Sequence, residues 1–153
     1  MRTERSDVRV SDRVRDAMVR DVMTGPPRSV SPLTPVAEVA RLMRDEGIGA
    51  VLVVEHGRLR GVVTDRDLVV RVMCGGGDID RVTAAQACSD VLVTVSPDDD
   101  LDRAVALMRQ RAVRRIPVVD DGLPVGIVTL GDIAVESEPG SVLSVISNAA
   151  PNG

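Results

Sequence analysis

Sliding the chain along itself by 65 residues lays Val30–Leu68 over Val95–Ile133 without a gap, and 13 of the 39 pairs are identical. The identities include Val30/Val95, Ser31/Ser96, Pro32/Pro97, Met43/Met108, Gly61/Gly126, Thr64/Thr129 and Asp67/Asp132. The chain is therefore a tandem duplication, and its fold must be two copies of one unit. Each copy has about 60 residues, a size that buries too little surface to be comfortable alone. The copies are expected to pack against each other within a chain of 153 residues and 16.2 kDa.

Each copy reads as strand, helix, strand, strand, helix. A short extended piece at Val30 or Val95 enters a Ser-Pro turn, followed by a helix N-cap at Thr34 (with Pro35 at the first helical position) or at Asp99. Val36, Val39, Ala40 and Met43, and in the second copy Leu101, Ala104, Val105 and Met108, form one apolar helical stripe. The runs Ala50–Val54 and Ile116–Val119 are rich in β-branched residues and lack alternation, which predicts strands covered on both faces. Glu55-His56-Gly57 and Asp120-Asp121-Gly122 are turn chemistry closing hairpins onto Gly61–Thr64 and Val125–Thr129. A second helix starts at Asp65 or Leu130. The expected organisation is a tail over 1–14, a first repeat with a lead-in helix over 15–77, a second repeat over 78–138, and a C-terminal segment over 139–153. A lead-in helix within Arg15–Met23 would match Val82–Cys88, Cys74–Asp78 is a flexible linker, and Ser141–Ile146 predicts a short capped apolar helix.

Composition removes several function classes. With no Phe, Tyr or Trp there is no platform on which to stack a nucleic-acid base, and 23 acids against 19 Arg give a net charge of −4. Neither nucleic acid nor an anionic membrane is an expected partner. The first ten residues carry no apolar signal segment and no run is long enough to span a bilayer, so the chain is expected to be cytoplasmic. Cys74, Cys88 and His56 do not have the spacing of a zinc site, and no metal is expected.

The duplicated signature is GxxTxxD, at Gly61–Asp67 and Gly126–Asp132, each at a strand-to-helix junction. Two accounts fit it. A Thr followed three residues later by an acid is a capping box, with Thr64 and Thr129 as N-caps answered by Asp67 and Asp132. The same geometry offers amides and a hydroxyl to a phosphate, and a fixed carboxylate to the paired hydroxyls of a ribose. Duplication preserves both and does not choose between them.

Two such units, each closing in GxxTxxD, with Val113-Arg114-Arg115-Ile116-Pro117-Val118-Val119 in the second, closely resemble a cystathionine β-synthase (CBS) domain pair, the Bateman module, from about Val19 to Val135. The resemblance implies a mixed α/β fold of the α+β kind, with tandem βαββα units related by a pseudo-twofold axis. It implies a stand-alone bacterial pair, since the ends leave no room for a catalytic domain, and commonly a homodimer. It also implies adenosyl ligands (AMP, ADP, ATP, S-adenosylmethionine or NAD) in clefts between the repeats, acting as regulators. By the same resemblance Asp67 and Asp132 are the ribose acids and Thr64 and Thr129 the hydroxyls beside them. Val62 and Ile127, with the incoming strands at Val30 and Val95, form the adenine wall. Arg114 and Arg115 are the phosphate contacts for the cleft holding Asp67. The first copy has Gly49 and Ala50 where those cations stand, so the cleft holding Asp132 draws only on Arg66.

A regulatory ligand-binding module that signals to a protein partner or an oligomer is thus the leading expectation. A nucleotide hydrolase built on Asp67 and Asp132 lacks an evident base, since His56 sits on a hairpin turn. A dimeric scaffold with vestigial clefts, or a redox-linked interaction through Cys74 and Cys88, is the remaining alternative.

Overall fold

The structure is a computed structural model that describes residues 17–89 and 93–137. The tail over 1–14 and the helix expected at Ser141–Ile146 lie outside the described residues. Its elements are α1 (Val19–Val22), β1 (Ser29–Val30), α2 (Val36–Glu46), β2 (Ala50–Glu55), β3 (Arg58–Thr64) and α3 (Asp65–Asp67). The last runs on into a π-helical segment, Leu68–Met73. The second half has α4 (Ala84–Ala87), α5 (Leu101–Arg111), β4 (Arg115–Asp120), β5 (Leu123–Thr129) and α6 (Leu130–Ser137). The chain has the tandem mixed α/β architecture expected from the repeat.

The two halves share their register. β2 and β3 pair antiparallel with Leu52 opposite Val62, and β1 joins β2 in parallel through Ser29–Leu52 and Val30–Val53. In the second half β4 and β5 pair with Pro117 opposite Ile127, and Val95 bridges Val118 in parallel, as Val30 does Val53. Even the irregularity repeats, at Val53/Val54 and at Val118/Val119. Both hairpins turn through residues at positive φ, His56-Gly57 and Asp121-Gly122, which the right-handed twist of the strands favours. β2 and β4 bury their central residues without alternation, as strands covered on both faces do.

The helix stripes depart from expectation: Ala37 rather than Ala40 completes the first, and Val105 of the second is only half-buried. Val36, Ala37, Val39 and Met43 are buried in α2 and Ala40 is exposed, whereas α5 buries Leu101, Ala104 and Met108. The caps shift by one residue as well. Pro35 and Asp100, rather than Thr34 and Asp99, stand at the N-caps, and neither supplies a side-chain cap. The Thr34 hydroxyl is 3.1 Å from that of Ser31, and the Asp99 carboxylate accepts from the Ser96 amide, so both are held by the preceding turn.

The first amides of α2 and α5 are satisfied from the other half of the chain. Val36 donates to the Val82 carbonyl and Ala37 to that of Ile79, while Leu101 donates to the Ala17 carbonyl and Val19 to that of Asp99. The lead-in helices are thus exchanged. α1 precedes the first repeat in sequence but buries Ala17 and Val19 in the core of the second, with Leu101, Ile116, Val118 and Val128. α4 precedes the second repeat and buries Ala84, Ala87 and Cys88 in the core of the first, with Val36, Val51, Val53 and Val63. The stretch before α4 is thereby committed as a helix cap. Complete burial of a residue such as Val19 contributes about 1.5–3 kcal/mol, so each half holds the other by both packing and backbone hydrogen bonds.

The exchange explains the paired glycines of the signature. A Cβ on Gly61 would stand 2.7 Å from the Cys88 sulfur, and one on Gly126 would stand 2.8 Å from the Met23 sulfur. Only glycine lets each lead-in segment lie against the strand of the opposite repeat. Gly61→Ala should therefore destabilise the chain by about 1–3 kcal/mol, the usual cost of overpacking. Because the clash is with Cys88, the loss measured by chemical denaturation should shrink when Cys88→Ala is added, a non-additivity that independent sites do not show.

Candidate functional site

Both GxxTxxD motifs form reciprocal capping boxes. Thr64 donates its amide to Asp67 Oδ2 at 2.8 Å and Asp67 returns its amide to Thr64 Oγ1 at 3.1 Å. Thr129 and Asp132 repeat the pair at 2.9 and 3.1 Å. Extended backbone at Thr64 makes this possible, because β3 runs directly into the helix and the hydroxyl reaches the third amide. The capping account of the motif is thus fulfilled in both repeats. It leaves chemistry in reserve, since capping uses one carboxylate oxygen of each acid.

A cleft of about 650 Å³ opens between the repeats at the first motif. Val62, Thr64, Arg66 and Asp67 line it from the first repeat and Arg114 and Arg115 from the second. Residues 47 or more positions apart in sequence meet here because the hairpins β2–β3 and β4–β5 lie against each other, with β3 approaching β5. Three arginines and two aspartates, Asp65 and Asp67, give it a formal charge of +1 against the net negative charge of the chain.

The arginines have different duties. Arg115 donates from Nη1 to the Gly49 carbonyl at 2.8 Å, the same carbonyl that accepts the Asp65 amide, so one guanidinium ties the second repeat to the start of α3. Ala50 stands where the mirrored contact would originate and has nothing to donate. Gly49 is matched to this closeness, since a Cβ there would lie 3.2 Å from the Asp65 carboxylate and 3.3 Å from Arg115 Nη1. The Arg114 carbonyl accepts from the Leu130 amide at 2.8 Å, while its side chain, on an exposed residue, makes no hydrogen bond or ion pair with a described residue. Arg66 lines the cleft with Asp67, where it follows Asp65 at the head of its own helix.

Other sequence candidates are placed elsewhere. Val95 is buried at 3% exposure in the second core, drawn in by its bridge to Val118, and Val30 packs against the first core beside Val53. Ile127 is half-buried on β5, exchanging both backbone hydrogen bonds with Thr24, and its repeat-mate Val62 accepts from Ser89. Thr129 and Asp132 share the second capping box and do not line the described cleft. Sequence reasoning missed Asp65, Ser89, Val93, Ala112, Val113 and Pro117 on its wall. Ala112 and Val113 were within reach of it as neighbours of Arg114, whereas Ser89 and Val93 belong to the crossing between repeats, which no periodicity marks. Among the described residues no group of three or more His, Cys, Asp or Glu forms a metal site, and no helix is long and apolar enough to cross a membrane. Cys74 is exposed and Cys88 is buried against Gly61.

The same duplication is visible in known proteins. The sequence profile of the CBS domain matches residues 19–73 and again 84–138. The CBS domain-containing protein YhcV of Bacillus subtilis is 40% identical over 134 residues, covering 85% of this chain and 95% of that protein. The crystal structure of Hypoxic Response Protein I with two coordinated zinc ions superposes with a TM-score of 0.71 at 32% identity, over 77% of this chain and 97% of that one. The CBS domain pair of protein MJ0100, solved in complex with 5′-methylthioadenosine and S-adenosyl-L-methionine, superposes at 0.68 with 26% identity, over 77% and 93%. With its family profile matched twice over most of its described length, and with an exchanged, twofold-repeated fold to go with it, the chain belongs to the CBS domain family and carries two copies of that domain.

Proposed function

We propose that this CBS pair is a regulatory module that binds a phosphorylated adenosine ligand, of the AMP, ADP or ATP class, in the cleft holding Asp67. The observation that carries this reading is the meeting, in one cleft, of a capped carboxylate from one repeat with two arginines from the other. Asp67 has the oxygen left over from capping for the paired hydroxyls of a ribose, and its side chain is only 14% exposed, so the acceptor is fixed. Val62 offers the apolar surface a base needs. Arg114, with Arg66, supplies charge-assisted contacts to phosphate, which are stronger than neutral ones and suit planar guanidinium donors. Support by likeness comes from the MJ0100 pair, which holds two adenosyl compounds.

Signalling then follows from where the ligand sits. A molecule held by both repeats stabilises their docked arrangement and shifts the population toward it, and a partner or second copy that prefers this arrangement is the readout. The exposed Val69, Val70 and Met73 form an apolar surface beyond α3 that suits a homodimer. The module needs no resident cofactor or metal in this role, and no catalytic step is assigned to it.

Calorimetry of the purified chain against AMP and adenosine tests the reading. Both should bind, AMP more tightly, and Arg114→Ala should weaken AMP by roughly tenfold while leaving adenosine within about twofold. Binding of neither compound at millimolar concentration, or equal losses for both, would remove phosphate recognition from the reading. At a hundredfold excess over its dissociation constant the ligand should add about 2.7 kcal/mol of stability, and the melting midpoint should rise by roughly 2–4 °C per kcal/mol. Light scattering should report about twice the 16.2 kDa of one chain, and a monomer mass at every concentration would refute the homodimer.

A further inference from the structure

The two capping-box acids differ in what stands one helical turn beyond them. Arg71 follows Asp67 by four residues, and its repeat-mate after Asp132 is Glu136. Arg71 brings Nε to 3.7 Å from Asp67 Oδ1, the oxygen that the capping box does not use. The same guanidinium donates from Nη1 to the Cys88 carbonyl at 3.1 Å. That carbonyl belongs to the peptide whose amide, on Ser89, donates to the Val62 carbonyl at 3.3 Å. One peptide unit is thus held from both sides, by Arg71 at its oxygen and by β3 at its nitrogen. It is the unit through which the chain leaves α4 for the second repeat, and both Ser89 and Val93 line the cleft. In the other half the corresponding peptide, Met23–Thr24, keeps its bond to Ile127, while the position matching Arg71 is Glu136, which has no guanidinium to reach its carbonyl.

We infer that Arg71 is a positioning residue that aims Asp67 into the cleft and ties it to the Cys88–Ser89 peptide, making the first cleft alone able to pass ribose binding to the crossing between repeats. Its second half rests on the proposed ribose contact of Asp67, and its first half does not. A guanidinium has donors enough to serve both acceptors in one fixed plane, which an ammonium on a flexible stem does not reproduce. When ribose hydroxyls donate to Asp67 Oδ1, that oxygen shares its charge between them and Arg71, and the hold on the Cys88 carbonyl adjusts in step. The helix supports this placement, for it widens to π geometry at Leu68, directly after Asp67, whereas α6 remains α-helical through Ser137.

Arg71→Met keeps much of the stem's length and removes every donor. In the ligand-free protein, amide hydrogen exchange at Ser89 should quicken by roughly tenfold, the scale of one lost charge-assisted hydrogen bond, while exchange at Thr24, its symmetry mate, stays as in the wild type. Unchanged exchange at Ser89, or equal acceleration at both amides, would overturn the tie, and this holds whether or not any nucleotide binds. The aim of Asp67 is read separately, by calorimetry with adenosine and 2′-deoxyadenosine. The variant should lose most of the wild-type preference for adenosine but keep the ratio of AMP to adenosine affinity. A variant that retains the ribose preference refutes the positioning role. A wild type that binds neither nucleoside refutes the proposed ligand and the ribose half of the inference, leaving the exchange at Ser89 to decide the tie.

Discussion

Everything in this molecule depends on a reciprocal loan of backbone hydrogen bonds. The first amides of α2 have no acceptor within their own helix and find them at Ile79 and Val82; the first amide of α5, on Leu101, finds one at Ala17, in the lead-in of the other copy. An unsatisfied buried amide costs about 1–3 kcal/mol, so neither long helix begins well unless the opposite lead-in is in place. The hydrophobic cores enforce the same condition, because α1 completes the core of the repeat it does not precede, and α4, which lies in sequence between the two repeats, completes the core of the first. The cleft is a by-product of this arrangement. It lies where two hairpins face each other, and their faces are held by segments that have crossed between the repeats.

Within that frame the capping box and a ligand contact are not rivals. A capping carboxylate is held by the Thr amide and anchored at a helix start, which is the condition for a good acceptor, since a group already fixed loses little entropy when it binds. Copying the box twice preserved the scaffold in both halves. What has diverged is the charge around it: Arg66, Arg71, Arg114 and Arg115 at the first, and Gly131, Glu136, Gly49 and Ala50 at the corresponding places of the second. The chain keeps twofold symmetry where the backbone must fit and abandons it in the charge around the cleft.

The repeat made most of the fold legible from sequence. The hairpin turns, the starts of the second helices and both capping boxes follow from local grammar, because each is decided within a few residues by φ preference, side-chain reach or β-branching. The meeting of Asp67 with Arg114 and Arg115 was legible only through the family resemblance, as no spacing along the chain encodes a contact across two hairpins. The exchange of lead-in helices was not legible, although its trace was present: glycine at 61 and 126 marks a close approach without naming what approaches. The caps at Thr34 and Asp99 were misplaced for the same reason, since a local rule assigns the nearest polar side chain and has no knowledge of a carbonyl arriving from more than 40 residues away. Val95 illustrates the remaining limit, being equally plausible as a wall residue or as core until its bridge to Val118 is seen.

The crossed lead-ins also bear on how a chain of this kind can arise. A single copy carrying its lead-in in front would present a helix that, in this geometry, fits the core of a second copy, so the docking of two such copies would be bimolecular and would weaken on dilution. Joining two copies end to end turns that encounter into an intramolecular one, with an effective concentration set by the linker rather than by expression level. From then on the partners are no longer obliged to be identical, and each half is free to accumulate substitutions that would have appeared on both sides of a symmetric pair. The single Arg115 clasp, whose mirror position is Ala50, is a contact that only such a fused, non-identical pair can possess once.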